Sequence, residues 1–226
     1  GAVSLNTTGS SGYATVDNGT TALNIAASSV GGNLTLTSGN ASGITDSGTV
    51  TVGGWLRATT DANNGVINLG TLAVDGTVAL TTNGSGNATV VNDAGLTFAA
   101  STVGGNLAAT ATTGNMTDSG ALTIAGTSSF TTSANNAQIT LDTTTNAFTG
   151  AVSLNTTGSG GHARIDGGTT ALDIAASSVG GQLHLRSGHA SGITDSGTVT
   201  VGGYLVATTD ANNGVINLGT LAVDGT

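Results

Sequence analysis

The strongest constraint on what this chain can fold into is an internal duplication. Residues 1–77 return as residues 150–226 at a shift of 149, with 12 substitutions, which leaves 77 − 12 = 65 identities. Residues 78–149 hold a third, degenerate copy, in which the segment from Val30 to Leu34 returns as Val103 to Leu107, at a shift of 103 − 30 = 73. The duplication indicates a repeat array, so we expect residues 1–226 to form one continuous segment rather than separate domains.

A shorter period runs inside these copies. Triplets in which two apolar residues flank a polar one follow successive turns from Leu23 to Leu221, an interval of 221 − 23 = 198 that is covered in eight steps. Each step holds three stretches of period-two alternation, separated by Gly, Asn, Asp and Ser, and such alternation is typical of β-strands. The sequence therefore predicts an all-β fold, a triangular parallel β-helix (β-solenoid) with about 25 residues per coil, three short strands per coil and roughly nine coils.

The same alternation predicts which side chains fill the core. Successive strand residues point to opposite faces, so the apolar members of each triplet should point inward and stack from coil to coil. The residues expected in this aliphatic column are Leu23, Ile25, Leu34, Leu36, Val50, Val52, Leu56, Ile67 and Leu69. A two-sheet sandwich is the structural alternative, but it would not explain a repeat at the length of one coil.

Composition excludes several classes of protein. All 12 acidic residues are Asp, Lys and Glu are absent, and the only cations besides His are Arg57, Arg164 and Arg186. Long helices are therefore not expected. With a net charge of −9 and no basic run, nucleic acid is not an expected partner. No stretch is long and apolar enough to predict membrane insertion, and no cysteine is present for disulfides or thiolate metal sites.

Three recurrent phrases carry a resemblance to a known family: residues 29–36, residues 44–54 and residues 148–154. They resemble the repeats of giant bacterial surface exoproteins of the filamentous-haemagglutinin-like type, and the resemblance covers essentially the whole chain. It implies a right-handed parallel β-helix, export to the extracellular cell surface, and a role in adhesion or surface structure. Because both termini fall inside the repeat without a polar cap, we expect an excerpt from a longer fibre or a unit that stacks on neighbours.

The Asp residues are the first candidates for chemistry. Four Asp residues of the first copy recur in the second copy, mostly beside Gly or Asn. They are Asp17, Asp46, Asp61 and Asp75, which recur as Asp166, Asp195, Asp210 and Asp224. An active site occurs once, whereas a turn occurs in every repeat, so we interpret these residues as closing Asx-type turns. Weak calcium binding at these turns is the alternative, and catalysis by paired carboxylates is the least favoured interpretation. No enzyme activity and no cofactor are predicted.

The three histidines all lie in the second copy. His162, His184 and His189 are separated by 22 and 5 residues, which matches no closed zinc site. We interpret them, together with Arg164 and Arg186, as a titrating surface patch that becomes more cationic below about pH 6.5.

The differences between the two copies point to one face of the rod. Seven of the 12 differing positions in the first copy alternate with apolar residues, so their side chains should point outward. We predict that they form a lateral contact face together with their replacements in the second copy. Its residues are Tyr13, Thr15, Asn33, Thr35, Thr37, Trp55, Arg57, His162, Arg164, Gln182, His184, Arg186 and Tyr204. Drift at unconstrained surface positions is the other explanation.

These observations favour a non-enzymatic structural or adhesive rod from a very large secreted or cell-surface protein. Its expected partners are neighbouring repeats or copies of the same protein, and surface glycans or proteins contacted by Trp55 and Tyr204. A self-assembling extracellular filament that stacks coil on coil is the alternative, and a β-helix polysaccharide-degrading enzyme is the third. An ice-binding threonine face is disfavoured because Trp55, Arg57 and His184 interrupt the threonine array.

Overall fold

The computed structural model describes residues 1–225, so Thr226, the last residue of the second copy, lies outside it. The described residues form thirty β-strands and no helix. The first fifteen strands are β1 (Ala2–Val3), β2 (Asn6–Thr7), β3 (Ala14–Asp17), β4 (Leu23–Ile25), β5 (Ser28–Val30), β6 (Leu34–Ser38), β7 (Ile44–Asp46), β8 (Val50–Val52), β9 (Leu56–Asn63), β10 (Ile67–Val74), β11 (Thr77–Asn83), β12 (Ala88–Asn92), β13 (Leu96–Phe98), β14 (Ser101–Val103) and β15 (Leu107–Ala111). The other fifteen are β16 (Met116–Asp118), β17 (Leu122–Ile124), β18 (Ser128–Asn135), β19 (Ile139–Leu141), β20 (Ala147–Phe148), β21 (Val152–Thr157), β22 (Ala163–Asp166), β23 (Leu172–Ile174), β24 (Ser177–Val179), β25 (Leu183–Ser187), β26 (Ile193–Asp195), β27 (Val199–Val201), β28 (Leu205–Thr209), β29 (Ile216–Asn217) and β30 (Leu221–Val223).

The strands stack into two parallel sheets, one of 17 strands and one of 13. Each turn of chain crosses one sheet as a single strand and the other as two short strands, as in β23, β24 and β25. All strand pairs are parallel and join one turn to the next, as where Leu34 lies beside Leu56 and Leu56 beside Val78. The predicted all-β parallel solenoid is confirmed.

The coil is shorter than the sequence period suggested. The structure has about 22 residues per turn and about 10 turns. The triplets had indicated about 25 residues per coil and roughly nine coils. Counting triplets gave the larger value because Leu72 lies in the 17-stranded sheet whereas the next triplet, at Leu96, lies in the 13-stranded sheet. The three triplet steps from Leu23 to Leu96 cover 96 − 23 = 73 residues, and the three steps from Leu96 to Leu172 cover 172 − 96 = 76 residues. Each set spans about three and a half turns, so counting it as three coils misses half a turn.

The two missed half-turns are a property of the modules. Leu34 in the first copy lies on β6 of the 13-stranded sheet, whereas its counterpart Leu107 lies on β15 of the 17-stranded sheet. Their second-copy counterpart, Leu183, returns to the 13-stranded sheet on β25. Each module of about 75 residues thus spans roughly three and a half turns. Successive modules therefore present equivalent strands on opposite sides of the rod.

The core confirms the predicted inward positions. Each of the nine residues assigned to the aliphatic column is at most 1% exposed. The middle module adds a cluster of three aromatic rings, in which Phe130 packs edge-on against Phe98 and Phe148 at centroid distances of 6.4 Å and 5.9 Å. Phe130 comes from the 17-stranded sheet and its two neighbours from the 13-stranded sheet, so these rings join the two sides of the core.

Candidate lateral contact face

All thirteen residues of the predicted lateral contact face belong to the 13-stranded sheet or directly precede one of its strands. Those on strands are Thr15, Thr35, Thr37, Arg57, Arg164, His184 and Arg186. Those immediately before a strand are Tyr13, Asn33, Trp55, His162, Gln182 and Tyr204. Thr35 lies beside Arg57 of the next turn in the strand register.

These residues form two patches on the same side of the rod. We call the seven residues of the first copy, from Tyr13 to Arg57, the N-terminal patch, and the six residues from His162 to Tyr204 the C-terminal patch. Paired residues on adjacent strands give the number of turns between the patches. From Thr35 the pairing leads through Arg57 to Ala79, which is two turns away. From Thr77 it leads to His184, which is five turns away. Thr77 and Ala79 share β11, so the patches are seven turns apart, which is about 34 Å at the usual strand spacing.

The opposite side of the rod carries only small side chains at the equivalent positions. In the middle module, the counterparts of Thr15, Thr35 and Arg57 lie on the 17-stranded sheet. They are Thr89, Ala108 and Ser129, paired side by side. Every Trp, Tyr and Arg of the chain lies on the 13-stranded sheet or immediately beside its strands. The half-turn between modules thus keeps the Trp, Tyr and Arg side chains on one side of the rod.

Trp55 dominates the N-terminal patch. Its side chain is 42% exposed, and it borders a shallow groove of about 270 Å³ with Arg57, Thr77, Ala79 and Ala99. The small residues of the next two turns leave the indole uncovered on that side. An exposed aromatic ring beside a guanidinium offers both an apolar and a hydrogen-bonding surface to a partner.

Asn33 has a structural role that sequence reasoning missed. Its Oδ1 accepts a hydrogen bond from the backbone N–H of Trp55 on the next turn, at 3.1 Å. In the second copy a similar bond lies one turn earlier, where the Nδ1 of His162, the counterpart of Tyr13, accepts from the Gln182 N–H at 2.9 Å. Both side chains therefore join adjacent turns where the backbone ladder begins. In the sequence, Asn33 and His162 have one feature in common that could have indicated this role: each has a side chain that can accept a hydrogen bond and lies immediately before a strand.

The C-terminal patch contains a network of ion pairs. Arg186 contacts two carboxylates, with Nη2 at 2.6 Å from Asp210 Oδ2 and Nη1 at 3.3 Å from Asp166 Oδ2. Arg164 contacts Asp142, with Nε 3.0 Å from Oδ2. The hydrogen bond and charge of Asp210, followed by the charge of Asp166, raise the pKa of the Arg186 guanidinium above its usual value. These contacts hold both guanidinium groups in place over the strands.

The aspartate partners of this network were not predicted, because they lie one turn away from each arginine. Asp166 also closes an Asx turn, since its Oδ1 accepts from the Gly168 N–H at 2.8 Å. The counterpart Asp17 makes the same turn with Gly19 at 2.9 Å, but Thr37 stands where the second copy has Arg186. The interpretation of these two Asp residues as turn formers is confirmed, and the second copy adds an ion pair to one of them.

Asp46 has a different role from the predicted turn closure. Its Oδ1 accepts from the Gly70 N–H at 3.0 Å, and its Oδ2 accepts from the Thr71 N–H at 2.8 Å and hydroxyl at 2.9 Å. Asp195 makes the equivalent bonds to Gly219 and Thr220. These carboxylates therefore link one turn to the next.

The histidines lie in three different environments. His162 accepts a backbone hydrogen bond, and His189 accepts one from the Ser191 N–H through Nδ1 at 3.0 Å. His184 packs edge-on against Tyr204, with ring centroids 5.6 Å apart. Within residues 1–225, no three His or Asp side chains lie close enough together to bind one metal ion.

A shallow groove crosses the C-terminal patch. It has a volume of about 310 Å³ and is lined by Arg164, Asp166, His184, Arg186, Val206, Thr208 and Asp210. This volume is at the low end of the range of about 300–1,000 Å³ for small-molecule sites. The groove suits a partner that lies across several turns better than a ligand enclosed by the protein.

Comparison with known proteins places the chain in a repeat family. Residues 11–69, 85–155 and 160–226 match the family described as Repeats of unknown function (DUF5649), and the chain belongs to it. The starts of the three matches differ by 85 − 11 = 74 and by 160 − 85 = 75, which is the spacing of the modules. No curated protein and no solved structure matches the chain. Among the described residues, no helix could cross a membrane.

Proposed function

We propose that this chain is a non-enzymatic rod segment of a very large secreted or cell-surface protein, in which the N-terminal and C-terminal patches make lateral contacts. The observation that carries the proposal is their placement on one side of the solenoid, seven turns apart. A rod decorated on one side can meet an extended surface at several points, and weak contacts then multiply. The resemblance to filamentous-haemagglutinin-like repeats supports the extracellular location and the adhesive role.

The chemistry of the two patches favours surface glycans or proteins as partners. Trp55 and Tyr204 are exposed by 42% and 39%, and each lies beside planar polar side chains. Arg186 is already paired with two carboxylates, so this part of the patch offers hydrogen bonds rather than a free positive charge. Such a surface suits sugar hydroxyls and rings or polar protein surfaces.

Binding of the purified chain to a glycan array and to cell surfaces tests this proposal. Trp55→Ala and Tyr204→Ala should each weaken binding, and the double variant should lose more than either alone. Thr131→Ala, on the opposite sheet, is the matched control and should bind like the parent. The proposal is wrong if the parent binds no surface, or if turnover of a polysaccharide by the chain is abolished by changing one Asp.

A further inference from the structure

We propose that the groove beside Trp55 binds a sugar residue that carries a carboxylate, which pairs with Arg57 while the sugar ring stacks on the indole. The inference rests on the proposed function and names the class of glycan that the N-terminal patch recognises. Arg57 lies on β9 and Trp55 immediately before it, and β9 is paired with β6 on one side and with β11 on the other. The site therefore belongs to a side face of the solenoid that is flanked by complete turns.

Arg57 is the one arginine that makes no ion pair within residues 1–225, since Arg164 and Arg186 each contact at least one carboxylate. The residues paired with Arg57 on the adjacent strands are Thr35 and Ala79, and neither carries a charge. The chain as a whole has a net charge of −9, so an exposed guanidinium without a carboxylate beside it is a local exception. Its planar fork of N–H donors matches the two oxygens of a carboxylate. Charge complementarity thus favours a ligand with one carboxylate at this position over a polyanion.

Trp55 supplies the second half of the site. It is two residues before Arg57 along extended backbone, so both side chains point to the same side of the sheet. The hydrogen bond from its backbone N–H to Asn33 Oδ1, at 3.1 Å, holds this position against the preceding turn. The indole is 42% exposed and borders the groove of about 270 Å³. An apolar ring face and a guanidinium side by side match a sugar acid, which has an apolar C–H face and a charged edge.

The floor of the groove favours a sugar over an extended peptide. The small side chains of Thr77, Ala79 and Ala99 make it shallow. Peptides that bind as added strands need an open sheet edge, but β9 is paired on both sides. Beyond Thr77, the column of outward threonines continues through Thr97 and Thr117, whose Oγ1 atoms are 3.1 Å apart. These hydroxyls can exchange hydrogen bonds with further sugar residues.

The pairing of an exposed indole with an arginine occurs once in the chain. The second-copy counterparts of Trp55 and Arg57 are Tyr204 and Val206, so the guanidinium is missing there. In the middle module, Ser129 on the opposite side of the rod takes the place of Arg57. The N-terminal patch therefore carries a binding site that the other two modules do not repeat.

Isothermal titration calorimetry with a short oligomer of galacturonic acid, and with the uncharged methyl ester of the same oligomer, tests this assignment. The parent chain should bind the acid more tightly than the ester. Arg57→Gln should raise the dissociation constant of the acid about tenfold, with a much smaller change for the ester, because it removes a charge-assisted hydrogen bond. Arg57→Lys keeps the charge but not the planar fork, so it should fall between the parent and Arg57→Gln. Trp55→Ala should weaken both probes, since stacking does not depend on the charge.

Thr131→Asp, on the opposite sheet, makes the same change in net charge as Arg57→Gln and is the matched control. It should bind both probes like the parent. Equal affinity of the parent for acid and ester, or of the parent and Arg57→Gln for the acid, would overturn the sugar-acid site but keep the lateral contact through Trp55. A parent chain that binds cell surfaces but neither probe would do the same, whereas one that binds no surface at all would overturn both.

An acidic protein is the competing occupant of the groove, and a peptide rich in aspartate is its probe. We expect this peptide to bind more weakly than the galacturonic acid oligomer, because it offers no sugar ring to Trp55. Tighter binding of the peptide that is lost in Arg57→Gln would show that the groove recognises a protein carboxylate, and the sugar assignment would then be wrong.

Discussion

The side chain of Asn92 forms a two-way hydrogen-bond pair with the backbone of Val74. Asn92 Oδ1 accepts from the Val74 N–H at 2.8 Å, and Asn92 Nδ2 donates to the Val74 carbonyl at 3.0 Å. The pair lies where the register between β10 and β12 shifts. The buried amide thus takes the place of a backbone peptide group at the junction between two modules.

Asn92→Ala should lower the free energy of unfolding by about 2–4 kcal/mol, because it leaves a buried N–H and a buried carbonyl of Val74 without partners. Urea or thermal denaturation of the purified chain measures this difference. Asn68→Ala, at an outward-facing exposed position of β10, is the control and should change stability by less than about 0.5 kcal/mol. Equal effects of the two substitutions would contradict the role assigned to Asn92.

Much of the fold could be predicted because the alternation of apolar and polar residues is a local signal. It identified the inward positions, such as Leu34 and Val50, and the outward positions, such as Thr35 and Arg57. It does not tell on which side of the rod a strand lies, so the half-turn between modules was missed.

The lateral face was predictable in part for the same reason. Comparing the two copies identified Trp55, His184 and Arg186 as outward residues on one sheet. It could not identify Asp210 as a partner of Arg186, because that contact joins neighbouring turns and depends on the register between β25 and β28. A predicted coil of about 25 residues would have placed different residues side by side.

Gly43 should be irreplaceable, whereas Gly19 should tolerate substitution. Both have positive φ angles, +66° and +53°, which cost a residue with a Cβ about 1–2 kcal/mol. At Gly43 an added Cβ would also overlap the carbonyl oxygen of Val66 on the next turn, but at Gly19 it would meet no atom within 4 Å. We expect Gly43→Ala to destabilise the chain by several kcal/mol more than Gly19→Ala in thermal unfolding. Similar losses of stability in the two variants would show that the positive φ angle alone, and not the contact with Val66, determines the cost of the substitution.

Asp195 should make stability depend on acid pH. Hydrogen bonds from the Thr220 hydroxyl and from the Gly219 and Thr220 N–H groups lower the pKa of its carboxyl below the ordinary value. Since the folded pKa is the lower one, this stabilisation is present above the unfolded pKa of about 3.9 and is lost as pH falls through the folded pKa.

The Asp195→Asn variant should therefore be less stable than the parent at pH 7, and the difference should shrink as the pH falls below the folded pKa. Urea denaturation at a series of pH values measures it. Thr220→Val removes the hydroxyl but keeps both backbone donors, so NMR titration should show the Asp195 pKa moving up towards its ordinary value. A stability difference between parent and Asp195→Asn that is independent of pH would contradict this account.

The aromatic cluster of the middle module should contribute more to stability than any exposed ring. Phe130 is fully buried and packs against Phe98 and Phe148, so Phe130→Ala should cost about 3–5 kcal/mol through lost burial and the cavity left behind. Phe130→Leu, which keeps most of the volume, should cost less than about 1.5 kcal/mol. Tyr13→Ala, at a side chain 72% exposed, should stay within about 0.5 kcal/mol of the parent.

A double-mutant cycle between Phe130 and Phe148, measured by urea denaturation, should give a coupling energy of about 0.5–1.5 kcal/mol for the edge-on pair. Because the two rings come from different sheets, this coupling measures the contact across the core rather than strand pairing. A coupling of zero, with Phe130→Ala no more destabilising than Tyr13→Ala, would show that the two sheets do not depend on this contact.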